Sequence, residues 1–186
     1  LFDRLTMSTP DDSFADRVRM NNLAAAIYML SQGVPFLQAG EEMLRSKPLP
    51  GGGFEHNSYA SPDSINSIKW ADLHKAEYAA NAEDYRGLIA FRKAHPTLRL
   101  TTAEAVREQV HALEGLPENV VGFHLRGSVD DPAKSILVLY NANRVPVTVQ
   151  LPKGRWNLCI SDQTAGAAPL LTIEGGVSVA PISATV

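Results

Sequence analysis

The stretch Ser31-Gln32-Gly33-Val34-Pro35-Phe36-Leu37-Gln38-Ala39-Gly40-Glu41-Glu42 constrains this chain more than any other. A helical pattern runs into Gly33, a short apolar run comes next, and a polar loop opens at Gly40. Val34 to Leu37 is too short and too apolar for an amphipathic strand. It reads as a strand buried on both faces, the parallel-sheet type. Pro35 near its start removes little ladder bonding. Helix, buried strand and loop in that order form one step of an α/β barrel, where the loops leaving the C-terminal ends of the strands build the active site. Functional residues are therefore expected between Gly33 and Trp70.

On either side the chain reads as support. Thr9-Pro10-Asp11-Asp12-Ser13 is a helix start, with side chains able to cap exposed amides. Val18, Met20, Leu23, Ala24, Ile27 and Leu30 then recur as one apolar stripe, leaving Arg17, Arg19, Asn21 and Asn22 mostly elsewhere. Gly33 is expected to end this helix in a left-handed cap. Residues 79–95 form a second helix with Tyr85, Leu88, Ile89 and Arg92 on one face, stopped by Pro96. Thr101 to Glu104 has the form of a capping box for a short turn reaching Val110. After Gly115 the period becomes two, with strands at 120–125, 135–140 and 145–151 and shorter ones at 155–160, 170–173 and 177–180. Asn141 to Arg144, Pro152 to Gly154 and Glu174 to Gly176 are the turns between them. This predicts an antiparallel β-sandwich over 101–186 behind an α/β portion over 1–100. One barrel strand and two helices cannot close a barrel, so the first hundred residues are expected to pack loosely or associate while the sandwich folds alone.

Composition excludes several classes. With 45% apolar and 20% charged residues the chain is of ordinary globular type. A net charge of -3 argues against nucleic acid as a partner. No apolar run approaches the ~18 residues that span a bilayer, so no membrane partner is expected. No signal peptide is recognisable, and the opening Leu1-Phe2-Asp3 reads as a cut end. The single cysteine, Cys159, rules out an internal disulfide framework and reads as a core residue in a strand.

The segment from Gly40 to Trp70 contains Pro48, Pro50, Gly51-Gly52-Gly53 and Pro62 and shows no sustained period. A structureless connection of ~30 residues exceeds the usual loop length, and such loops are generally functional or disordered. Phe54, Tyr59 and Trp70 lie among Asn57, Asp63 and Asn66, a mixture that suits sugar binding. In the functional reading Tyr59 offers a stacking face, while Asn57, Ser58, Asp63 and Asn66 bond hydroxyls. The same residues also build turns, and their spacing supports both readings equally.

Glu41 and Glu42 suggest glycoside hydrolysis, which needs two carboxyls facing each other ~5–9.5 Å apart. Neighbours in an extended segment point to opposite sides, so this pair is read as ordering the loop. The five histidines show no metal-ligand spacing. His124 reads as an exposed-face strand residue, Gly51-Gly52-Gly53 as plain flexibility, and Tyr85 and Trp156 as core aromatics.

Ser31 to Glu42, together with Asn57-Ser58-Tyr59-Ala60-Ser61-Pro62-Asp63-Ser64-Ile65-Asn66 and Ile68-Lys69-Trp70, resembles type I pullulanase, the α-1,6-debranching branch of the α-amylase superfamily. Leu1 to Leu5 resembles the segment after the seventh barrel strand, Ser13 to Leu30 the seventh helix, and Gly87 to Pro96 the eighth helix. The last third is similar to the family's C-terminal β-sandwich in pattern. The resemblance implies the end of a TIM (β/α)8 barrel from 1 to 100 and retaining hydrolysis of α-1,6 links in pullulan, starch or glycogen. The family's Asp nucleophile, Glu acid/base and His-Asp-Asn stabiliser precede the position matching Leu1, so no catalytic residue is carried over. Tyr59, Asp63 and Asn66, with Asn57 beside them, match a loop bordering the glucan cleft. An α-glucan and the remainder of the barrel are the implied partners. No cofactor is expected, calcium being allowed by the resemblance alone. The rival reading is a stand-alone, non-catalytic glucan-binding or structural module.

Overall fold

Two long helices, one broad sheet and one narrow ribbon share a layered arrangement. The computed structural model describes residues 1–186. The helices are α1 (Phe2–Ser8), α2 (Phe14–Leu30), α3 (Asp63–Asn66), α4 (Ala76–Ala94) and α5 (Ala103–Gln109). The strands are β1 (Val110–Ala112), β2 (Val120–Arg126), β3 (Ser135–Asn141), β4 (Val147–Leu158), β5 (Ile160–Asp162), β6 (Thr164–Ala165), β7 (Leu171–Val179) and β8 (Ser183–Thr185). Six of them form one antiparallel sheet in the order β1-β2-β3-β8-β5-β6, and β4 with β7 forms a separate two-stranded ribbon.

Side chains alternate across β3 and so build two cores. Ile136, Val138 and Tyr140 point to one face, where they meet Ala25, Ala26 and Met29 of α2 and Tyr85, Leu88 and Phe91 of α4. Leu139 points to the other, against Val149 of β4 and Val177 and Val179 of β7. The helices thus do not pack loosely; their apolar face and the sheet form one cluster, because each would otherwise leave it in water.

The buried face of α2 is not the expected stripe. Asn21, Asn22, Ala25, Ala26, Met29 and Leu30 are buried, while Ile27 is exposed. The alanines permit close approach of α4, and the two amides find partners. Asn21 Nδ2 donates to Tyr85 Oη at 3.0 Å, and Asn22 Nδ2 to Gln163 Oε1 at 2.8 Å. Ser13 caps the helix start as expected, accepting the Asp16 N–H at 3.0 Å. The helix ends at Ser31 in extended geometry rather than at Gly33, whose left-handed backbone (φ 91°) makes the bend two residues later.

The expected strand at Val34 to Leu37 is absent. The backbone there belongs to no strand, and Val34 and Phe36 are 95% and 90% exposed. A sheet strand requires lateral hydrogen-bond partners, and none lies beside this segment. These residues alone therefore form no barrel wall.

α4 matches its prediction at Pro96 but begins earlier, at Ala76, and leaves Ile89 exposed. Gly87 brings α4 against β6: a Cβ on it would lie 1.9 Å from the carbonyl oxygen of Ala165. Beyond α4, His95 Nδ1 and Asp131 Oδ1 lie 2.8 Å apart, and Asp131 Oδ2 accepts the Thr97 N–H at 3.0 Å, tying the end of the helix to the β2–β3 connection. Burial raises the Asp131 pKa, but the bonds from His95, Thr97 and Ala133 outweigh it and hold the carboxyl below its usual value.

In the β region, Thr102 rather than Thr101 caps α5, through the Ala105 N–H. Pro152 to Gly154 and Glu174 to Gly176 are not turns. They lie inside β4 and β7, around the register shift between Gln150 and Arg155, so four expected strands are two long ones. Two glycines with positive φ, Gly154 and Gly175, allow that irregularity. Cys159 is buried between β4 and β5 rather than within a strand, and burial raises its thiol pKa. His124 is half-buried, near Ser135 Oγ at 3.1 Å; burial, then Arg126 and His111, lower its pKa. No helix is long and apolar enough to cross a membrane.

Candidate functional site

The connection from Gly40 to Trp70 is built rather than structureless. Gly40 (φ 90°) turns the chain into a 3-10 turn at Glu41–Met43, and Leu44, also left-handed, is buried. Pro48 and Phe54 form a bridge that closes a small hairpin, with Gly52 and Gly53 at positive φ in its tip. The glycines thus make a defined turn where flexibility was expected. Ile65 anchors the single turn of α3 below.

Glu41 is fixed from both main helices. Its Oε1 accepts from Tyr28 Oη at 2.7 Å and from Tyr85 Oη at 3.1 Å. Burial, reinforced by this carboxylate, raises both phenol pKa values well above the usual range, so both remain donors. Glu42 turns the other way: its Oε2 accepts the Gly40 N–H at 3.1 Å, while its backbone carbonyl accepts from Asn81 at 2.8 Å. The two carboxyls serve different jobs in the loop and do not face each other across a cleft.

The other predicted residues separate into two groups. Asn66 is consumed inside the loop: its Nδ2 donates to the carbonyls of Ser58 and Ser61 at 2.6 and 2.9 Å, and its Oδ1 accepts from Lys47 Nζ at 3.1 Å. Lys47 also reaches Ser58 Oγ at 2.5 Å, and its backbone N–H donates to Asp3. Arg45 holds the carbonyls of Ala39 and Asn66. Tyr59, by contrast, is 97% exposed, and the Asp63 carboxylate and the Asn57 side chain make no hydrogen bond within the protein. Lys69 Nζ donates to Ser64 O at 3.0 Å and Ser67 Oγ at 2.6 Å, securing the end of α3. The result is a firm base that carries a free aromatic face and a free carboxylate.

Arg45, Lys47 and Lys69 were not singled out as site residues, since cations in a Gly/Pro-rich stretch give no local pattern; their partners lie up to 44 residues away. Gly40 has a second duty beyond its φ: a Cβ would lie 2.7 Å from Arg45 Cδ. Gly40→Ala is expected to cost about 1–2 kcal/mol and to raise amide exchange through Glu41–Met43, with α4 unaffected. Unchanged exchange there would contradict this account of the turn. No group of three His, Cys, Asp or Glu comes together in a form that could hold a metal ion.

A second concavity, of about 670 Å³, lies between β3 and the ribbon and is lined in part by Trp156, Ile136, Leu137 and Cys159. Trp156 is only half-buried, its Nε1 donating to Pro152 O at 3.0 Å, so it walls this cleft instead of filling a core.

Comparison with known proteins adds to this geometry. Residues 106–164 match the family described as "Pullulanase, all-beta domain". The chain is 34% identical to a pullulanase of Bacillus subtilis (strain 168) over 81% of its own length and 20% of that protein. An isoamylase of Flavobacterium sp. is 30% identical over 74% of this chain and 19% of the isoamylase. Among solved structures, the pullulanase from Bacillus acidopullulyticus superposes with a TM-score of 0.91 at 37% identity, covering 99% of this chain and 22% of that one. The type I pullulanase from Bacillus subtilis str. 168, solved with maltose, gives 0.86 at 30% identity, covering 99% and 25%. The chain thus spans about a fifth of the length of the curated relatives it matches. The sheet-rich part of the chain is similar to the all-beta domain of pullulanases, and its relatives are pullulanases and isoamylases. The chain corresponds to a C-terminal portion of a pullulanase-type protein.

Proposed function

We propose that residues 1–100 complete the end of a (β/α)8 barrel and that the whole chain serves a hydrolase cleaving α-1,6-glucosidic links by the retaining route. The reading rests chiefly on the superposition over 99% of this chain with a much longer pullulanase. The exposure of Val34, Phe36 and Ile27 supports it. These are apolar groups on and beside a segment patterned like a strand, and neighbouring barrel strands would cover them. The catalytic carboxylates come from the remainder of the barrel, and this chain alone does not hydrolyse glucan. Tyr59 stacks on a sugar ring, Asp63 and Asn57 accept or donate to hydroxyls, and Asn66 shapes the loop that carries them. Glu41 and Glu42 order the loop and perform no chemistry. Structures of related pullulanases with maltose, maltotriose and maltotetraose support an α-glucan as the ligand class.

The test is a chimera in which this chain replaces the matching portion of the Bacillus subtilis pullulanase. Pullulan hydrolysis is expected to be retained. Tyr59→Ala in the chimera should raise KM about fivefold, the loss of roughly 1 kcal/mol of ring stacking, with kcat little changed. A folded chimera whose KM ignores Tyr59 would remove the residue from the site. Measurable binding of maltotetraose by the 186-residue chain alone would favour the glucan-binding module instead.

A further inference from the structure

Where α2 meets the Gly40–Trp70 loop, two buried polar atoms are left over by the fold. Tyr28 and Tyr85 each have one phenolic proton, and both give it to Glu41 Oε1. Tyr85 Oη therefore accepts from Asn21, whose Nδ2 lies 3.0 Å away, with Asn22 Oδ1 at 3.4 Å for the other hydrogen of that nitrogen. This fixes the amide and turns Oδ1 away from Tyr85. Asn21 is fully buried, and its Oδ1 accepts nothing within the protein. Such an acceptor destabilises the fold unless it is bonded.

A matching donor belongs to the loop. Arg45 spends its two terminal nitrogens on the carbonyls of Ala39 and Asn66, which leaves Nε buried and without an acceptor. Asn21, Arg45 and Glu41 line the same small cavity. Its volume is about 10 Å³, room for about one water-sized group. Glu41 brings a second carboxylate oxygen, Oε2, which accepts no hydrogen bond within the protein. These groups define what fits. The occupant accepts from Arg45 Nε and donates to Asn21 Oδ1, so it carries both a lone pair and a proton. A metal cation would face the Arg45 guanidinium, and an anion the Glu41 carboxylate. Water meets every condition, and Glu41 Oε2 is there for its second proton.

We propose that this cavity binds one ordered water, which accepts from Arg45 Nε and donates to Asn21 Oδ1 and Glu41, and that Asn21 is thereby a positioning residue for the loop. Arg45 grips the loop at Ala39 and again at Asn66, and Asn66 holds the Ser58 carbonyl beside Tyr59. The water passes the position of α2 and α4 to that base. Asn21 touches no sugar; it acts on Tyr59 through the water, Arg45 and Asn66. The positioning role, unlike the water site, rests on the reading of this loop as a glucan contact.

The test has two arms. A crystal structure of the full chain that shows ordered solvent should hold one water within about 2.7–3.2 Å of both Arg45 Nε and Asn21 Oδ1. A cavity without density, or an Arg45 Nε turned onto a protein acceptor, overturns the proposal. This arm needs no substitution and stands whether or not a variant folds. The second arm uses the pullulanase chimera. Asn21→Leu keeps the bulk and removes the amide, and KM for pullulan should rise about threefold, the worth of one hydrogen bond, with kcat unchanged. Added to Tyr59→Ala, the same substitution should raise KM no further, because its effect passes through Tyr59. Independent, multiplying effects on KM overturn the positioning role. If the water is present and Tyr59→Ala alone leaves KM unchanged, the glucan reading of the loop fails, the positioning role falls with it, and the water site is upheld.

Discussion

Asp84→Asn is expected to raise the melting temperature at pH 8 by roughly 5–15 °C and to leave it nearly unchanged at pH 4. Asp84 lies on the buried face of α4. Burial, and then the charge of Asp162, push its carboxyl up to about 7. A folded-state value raised above the unfolded one gives stability that is complete below pH 4 and lost as the pH rises through 7. At about 1.4 kcal/mol per tenfold change in proton affinity, the loss across that window is on the order of 4 kcal/mol. The amide keeps the shape and never ionises, so the variant escapes this loss. Asp131 works in the opposite sense: its lowered pKa gives stability present above pH 4 and lost as acid protonates it. The parent should therefore be most stable between the two windows, and the Asp84 variant should keep only the fall on the acid side. Thermal melts at pH 4, 6 and 8 decide it. Parent and variant curves that run parallel from pH 4 to 8 would sink the account of Asp84.

Arg92→Ala should cost about 3–5 kcal/mol, the loss of several charge-assisted hydrogen bonds together with the exposure of their acceptors. The buried guanidinium donates to Met29 O and Ser31 O, each at 2.7 Å, and to Gly33 O at 2.5 Å. Those carbonyls include the open end of α2, where the favourable charge is positive. Burial, and then Arg99, lower the Arg92 pKa, and a guanidinium so placed keeps its charge. Arg92→Lys should recover only part of the loss, because one ammonium does not span three carbonyls. A urea midpoint for Arg92→Ala within about 1 kcal/mol of the parent would show that water replaces the clamp.

Ser13, Pro96 and the alternation in 135–140 act on their own neighbours, and the structure places helix starts, stops and β3 accordingly. Asn21 and Asn22 look like surface residues because their burial depends on Tyr85 and Gln163, which stand 64 and 141 positions away. Gly154 and Gly175 read as turns since a glycine signals a bend equally well when two strands bulge opposite each other. Val34 to Leu37 fails for a different reason. Its pattern describes a strand among strands, and this chain supplies no neighbours for it. In the loop, Tyr59, Asn57 and Asp63 are legible as residue types, but the division between residues free to face a ligand and those consumed by the fold is set by Lys47 and Arg45.

The contact between Gly87 and Ala165 sets a ruler for the whole helical layer. With 1.9 Å between a would-be Cβ and a backbone oxygen, no rotamer change can make room. A relative with any side chain at this position must stand its helix farther from the sheet edge. That shift would travel along α4 to Tyr85 at Glu41 in one direction and to Arg92 at the end of α2 in the other. Residue 87 and the β5–β6 edge should therefore change together over evolutionary time, and their separation sets how high the loop held by α4 rides above the sheet.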